Sequence, residues 1–81
     1  MIKRFDGGFV SAVAVTPNDS TPLAVTSRGV YVGTGGNLKV TMADGGTPLT
    51  FTGVPTGTLL EISVSLIWAT GTTASNIVSL R

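Results

Sequence analysis

The sequence predicts an all-β fold: one small antiparallel β-sandwich or jelly-roll-like barrel with a short N-terminal arm. Three observations predict it. Apolar and polar residues alternate in short runs, as in Leu38, Val40 and Met42 against Lys39 and Thr41. Clusters of Gly, Pro, Asn and Asp interrupt these runs about every 8–12 residues. Val, Ile and 13 Thr fill the runs, and no window combines helical spacing with a capping pattern.

The elements follow in chain order. Residues 1–8 are expected to form an arm, with Gly7-Gly8 as its joint. Residues 9–81 make the single β domain. Its first strand is expected over 9–16, with Phe9, Val13 and Val15 on one face and Val10, Ala12 and Ala14 on the other. Pro17, Asn18, Asp19, Ser20 and Pro22 then form a dense turn, because Pro fixes φ and the short polar side chains bond to nearby backbone. Residues 23–26 read as a short edge piece. Val30 and Val32 share a strand face with Tyr31 opposite, and Gly33-Thr34-Gly35-Gly36-Asn37 is expected to turn the chain as a hairpin.

Leu38, Val40 and Met42 make a half-buried strand. Asp44-Gly45-Gly46 supplies a hairpin to the strand of Leu49 and Phe51. A second turn or a crossover at 53–57 leads to what reads as the longest strand, where Leu60, Ile62, Val64, Leu66 and Trp68 alternate with Glu61, Ser63, Ser65 and Ile67. A Thr-rich segment and a closing strand over 76–81 complete six or seven strands.

Composition narrows the function. Among 81 residues there is no His and no Cys, and five basic side chains face four acidic ones for a net charge of +1. Disulfides are excluded, and the usual soft metal ligands are missing. The charge is too balanced for a nucleic-acid footprint, and no apolar run reaches the ~18 residues of a membrane span. Lys3 and Arg4 before an apolar run imitate a secretory leader, but Asp6-Gly7-Gly8 interrupts it, so no leader is expected. Charged residues are 11% of the chain against a typical ~25%, and mean hydropathy is +0.45. So small a chain buries only about 60–65% of its unfolded surface. A weakly charged surface over a thin core reads as a subunit whose neighbours complete it.

Each possible chemistry has a plainer explanation. Gly33-Thr34-Gly35-Gly36-Asn37-Leu38 lacks the third Gly, the Lys and the following helix of a phosphate cradle. Asp19 and Asp44 stand in turns, Glu61 on a polar strand face and Asp6 in the arm, so no carboxylate pair flanks a cleft. Lys39 and Thr41 share a strand face, but an outward Lys does not activate a hydroxyl. Asn18-Asp19-Ser20 is a three-residue glycosylation pattern of low specificity. No catalytic residue, metal ligand or cofactor is therefore assigned, and the protein is not expected to be an enzyme. The candidate residues are interface residues: Ile2 and Phe5 in the arm, Arg28 at a strand start, Tyr31 as an outward contact, and Trp68 as a core or interface anchor.

Several blocks, taken together, resemble a known family. They are Arg28-Gly29-Val30-Tyr31-Val32-Gly33 with Gly36-Asn37-Leu38, then Ala43-Asp44-Gly45, Val54-Pro55 with Gly57-Thr58-Leu59-Leu60, and Ala69-Thr70-Gly71-Thr72-Thr73-Ala74. In this order they are similar to the spike-base family of tailed phages and gene-transfer agents, over roughly residues 14–80. The resemblance implies a virion structural protein on the capsid surface, as a head spike base or a decoration (cement) protein assembled in the host cytoplasm. It implies a homo-oligomer seated on the major capsid protein, with a spike fibre protein as a further candidate partner, no nucleic-acid or membrane partner and no catalytic residue. Two alternatives stand beside it: a tail or neck component, and a carbohydrate-binding β-sandwich module.

Overall fold

Seven strands are formed within residues 9–81, the part of the chain that the computed structural model describes. They are β1 (Ala12–Val15), β2 (Gly29–Thr34), β3 (Gly36–Met42), β4 (Leu49–Val54), β5 (Thr58–Leu60), β6 (Val64–Ile67) and β7 (Ser75–Leu80). Sheet A has the order β1-β7-β2-β5 and sheet B the order β4-β3-β6. Every pairing is antiparallel. The expected arm, with Ile2 and Phe5, lies outside the described residues.

The core forms where the inner faces of the two sheets meet. Val30, Val32 and Ile77 come from sheet A, and Leu38, Val40, Val54, Val64 and Ile67 from sheet B, with Ala74 between them. Val30 and Val32, like Leu38 and Val40, are the period-2 positions of β2 and β3, as the alternation requires. Among the described residues every buried side-chain polar atom has a partner. Ser27 shows how: fully buried, its hydroxyl donates to the Ile62 carbonyl at 3.2 Å and accepts the Val64 N–H at 3.0 Å.

The structure departs from the sequence reading where the chain changes sheet. Residues 33–37 form no hairpin. Strands β2 and β3 belong to different sheets, and only Gly35 separates them. Glycine is required there by close approach. A Cβ on Gly35 would run into the Val54 carbonyl oxygen, and one on Gly36 would stand 2.7 Å from the Ala74 nitrogen. The expected long strand over 60–68 is likewise two strands, β5 in sheet A and β6 in sheet B, and the chain passes between sheets at residues 61–63. A bend of this kind does not interrupt apolar alternation, so periodicity alone reads straight through it.

Two irregularities invert side-chain faces. Thr41 pairs with Leu66 and Met42 with Val64, so Ser65 is an extra residue in β6. The bulge turns Ile67 into the core and Trp68 outward, the reverse of simple alternation. Before β1, the Val10 and Ser11 N–H groups both donate to the Arg81 carbonyl, at 2.7 and 2.8 Å. That doubling moves Phe9 off the face of Val13 and Val15, and its ring sits against Gly29 instead. The regular strand accordingly starts only at Ala12.

Residues 18–27 run along the free side of β6. The Asn18, Leu23 and Ser27 N–H groups donate to the carbonyls of Ile67, Ser65 and Val64. The expected edge piece over 23–26 thus covers a sheet edge without becoming a strand. Threonine hydroxyls serve a similar purpose elsewhere. Beyond the end of β6, Thr73 Oγ1 accepts the Asn37 N–H at 2.8 Å and Thr72 Oγ1 accepts the Lys39 N–H at 3.0 Å, which continues the β3 ladder with side chains.

Candidate interaction surface

One row on the outer face of sheet A is apolar from edge to edge. The register aligns Ala14 with Val78, Val78 with Tyr31, and Tyr31 with Leu59, so one row crosses all four strands. The next outer row holds Ala12, Leu80 and Gly29. No charged side chain stands in either row. Antiparallel sheets that face water usually carry polar residues outward. Tyr31 is 39% exposed and Leu59 40% exposed, side by side at the β5 end of the row. Phe9 rests on this same face, and the Arg28 guanidinium stands over its ring at 5.9 Å from the centroid.

The opposite end of sheet A is also apolar. Strand β1 is an edge whose four residues, Ala12-Val13-Ala14-Val15, include no charge and no Pro. Val13 is 43% exposed there, with Val25 at 49% and Val10 at 84% nearby in the chain's flanking segments. Between β1 and the 23–25 segment lies a slot of about 80 Å³ lined by Val13, Ala14, Val15, Leu23, Ala24 and Val25, with Ser79 and Arg81 at its border. Among the described residues, five of the six exposed large hydrophobics (Val10, Val13, Val25, Tyr31 and Leu59) belong to these two regions.

The outer face of sheet B is different. Lys39 pairs with Thr50 and Thr41 with Leu66. The Trp68 indole N–H donates to Thr41 Oγ1 at 2.9 Å, and Lys39 Nζ lies 4.6 Å from the indole ring. Trp68 is therefore a half-buried outer-face residue, and of the two roles expected for it, core or interface anchor, the Ser65 bulge removes the core one. Asp19 closes the adjoining 69–71 turn. Its carboxylate accepts the Ala69 and Thr70 N–H groups at 2.9 and 2.8 Å and the Thr70 hydroxyl at 2.5 Å. The Thr70 hydroxyl, followed by its backbone N–H, holds the Asp19 carboxyl below the usual carboxylate range. The neighbouring Asn18 makes the local turn bonds expected of this segment, to Ser20 and Thr21.

The predicted interface residues are thus divided. Arg28 and Tyr31 stand together at β2 on the sheet A side, Trp68 stands on sheet B, and Ile2 and Phe5 fall outside the described residues. Sequence reading missed Leu59, Val78 and the β1 edge. The signal for Leu59 was present in Leu59-Leu60, where two consecutive apolar residues require that one face outward. Among the described residues no group of three His, Cys, Asp or Glu side chains could hold a metal ion.

No protein-family model matches the chain, and no curated protein matches it. A solved structure does. A chain described as the capsid of a native GTA particle, computed with C5 symmetry, is 32% identical, with a TM-score of 0.83. The alignment covers 99% of this chain and 100% of that one.

Proposed function

The chain belongs to the family of that GTA-particle capsid chain, and from this premise we propose that it is a structural protein of a phage-type capsid, exposed on the particle as a head spike base or decoration protein. The full-length match carries the reading. The apolar outer face of sheet A supports it, because an exposed patch of this kind marks a contact surface. The protein acts by contact and not by catalysis, which agrees with a chain that has neither His nor Cys. It assembles in the host cytoplasm as a closed homo-oligomer on the major capsid protein, with room for a fibre above it. The related capsid was computed with C5 symmetry, and a fivefold ring is the closure we assign to the oligomer. Tyr31 and Arg28 belong to the covered side, and residues 1–8 serve as a capsid-contacting or neighbour-clasping arm.

Particles purified with and without this protein, compared by cryo-electron microscopy, test the reading. The expected difference is density on the outer capsid surface around symmetry axes. Density confined to the neck or tail would establish the tail-component alternative. Absence from particles, together with selective glycan binding, would establish the carbohydrate-binding one.

A further inference from the structure

We infer that copies of this chain join head to tail through the two free edges of sheet A, with β1 of one copy laid beside β5 of the next. The inference rests on the homo-oligomer proposed above and names its contact surface. Both edges belong to one sheet and lie at its opposite ends. A contact between them is heterologous, and repetition of a heterologous contact closes a ring where its rotation divides a full turn. Sheet A would then continue from copy to copy, and no copy would retain an open edge on that sheet.

Four observations favour this occupant. First, nothing among the described residues guards β1. Natural edge strands are commonly blunted by Lys, Pro or an inward charge, and Ala12–Val15 has none of these. In sheet B, residues 18–27 already hydrogen-bond along β6, and β4 lies between Pro48 and Pro55. Second, the outer row ends in small residues at β1 (Ala12, Ala14) and in a large one at β5 (Leu59). Edge pairing brings a neighbour's Leu59 over those alanines, so the size difference is complementary. Third, an added strand at β1 roofs the slot beside it and covers Val13 and Val25. Fourth, charge is complementary: basic Arg81 borders the β1 slot, and acidic Glu61 directly follows β5.

The absence of native Cys makes the test direct. A chain carrying Ala14→Cys and Leu59→Cys together is treated with a short bis-maleimide. The expected product is a ladder of covalent multimers that ends at one closed species. Each single-Cys chain should give no dimer, and a mixture of the two should give only the 14–59 link. Self-linking of Ala14→Cys would reveal a twofold contact and overturn the inference. So would a ladder that appears when Leu49→Cys on β4 replaces either site.

A second variant, Ala14→Lys, should raise the dissociation constant of the oligomer by roughly a hundredfold while the far-ultraviolet spectrum is retained. An oligomer unaffected by it overturns the edge contact. The wild-type mass in solution separates the two levels. An oligomer without 14–59 links refutes the edge contact alone, whereas a monomer at every concentration refutes the homo-oligomer as well.

Discussion

On the outer face of sheet B, Lys39 lies over Trp68, the Trp68 indole N–H is bound to Thr41, and Thr50 stands beside Lys39. The corresponding row on sheet A is Ala14, Val78, Tyr31 and Leu59. Both faces belong to one small sandwich and to similar strands. Sheet B satisfies its polar groups within the chain and presents hydroxyls to water. Sheet A leaves large apolar side chains exposed, which only another surface can desolvate. Among the described residues, exposed apolar side chains are thus concentrated in and beside sheet A, and that concentration separates a docking surface from ordinary apolar scatter.

The largest effect should come from placing the same charge on each face. Tyr31→Asp puts an acid in the middle of the apolar row, and Thr50→Asp puts one among hydroxyls beside Lys39. We expect Tyr31→Asp to abolish incorporation into particles, a loss of about a hundredfold or more in binding, and Thr50→Asp to leave it unchanged. Both should fold, since both sites are exposed. Quantitative immunoblotting of purified particles reads the outcome. Equal incorporation of the two variants would remove the distinction between the faces.

The inner positions of β2 and β3 were legible from alternation, because nothing disturbs the period between Val30 and Val32 or between Leu38 and Val40. The Asp44-Gly45 turn was legible too: Asp44 Oδ1 accepts the Gly46 N–H, and the Gly45 N–H donates to the Met42 carbonyl. The sheet assignment was not legible. Residues 58–67 keep apolar character through a change of sheet, and a bulge at Ser65 costs one residue of period without any Gly or Pro to mark it. Tyr31 was found because it opposes two valines. Leu59 was missed because its strand was started at Leu60, two residues after β5 begins at Thr58. Asp19 was read as a local turn residue, since a contact with Thr70, 51 residues away, leaves no local trace.

The bulge predicts an intermediate effect that alternation alone would reverse. Ile67 is 1% exposed in the core, whereas Trp68 lies on the outer face of sheet B. Ile67→Ala should destabilise the fold by about 2–4 kcal/mol, because it leaves a cavity between the sheets. Trp68→Ala removes the larger side chain, yet it should cost only about 1–2 kcal/mol, from the lost hydrogen bond and the contact with Lys39. Urea denaturation of both variants measures the order. A larger loss for Trp68→Ala would place the indole in the core and remove the bulge from the account of sheet B.

The smallest effect concerns how the sheet B side closes itself. Asp19 is exposed, yet it ties the 16–28 segment to the 69–71 turn through three hydrogen bonds that its carboxylate accepts and that ionisation strengthens. Its pKa in the folded chain is lowered from 3.8, mainly by the Thr70 hydroxyl. The sign follows from linkage. A carboxyl held lower in the folded state than in the unfolded one adds stability that is fully present above the unfolded pKa, and loses it as pH falls through the folded pKa. Wild-type protein should therefore lose stability as the pH is lowered from about 5 to below 3. Asp19→Asn keeps an oxygen acceptor for the two N–H groups but cannot titrate. It should be slightly less stable than wild type at pH 7, and its urea midpoint should fall less across the acid range. The other carboxyls titrate in both proteins, so the difference between the two curves isolates Asp19. Parallel curves would mean that water serves the Ala69 and Thr70 N–H groups as well as the carboxylate does. The sheet B side would then owe its closure to the Lys39, Trp68 and Thr41 contacts and to backbone bonding along β6.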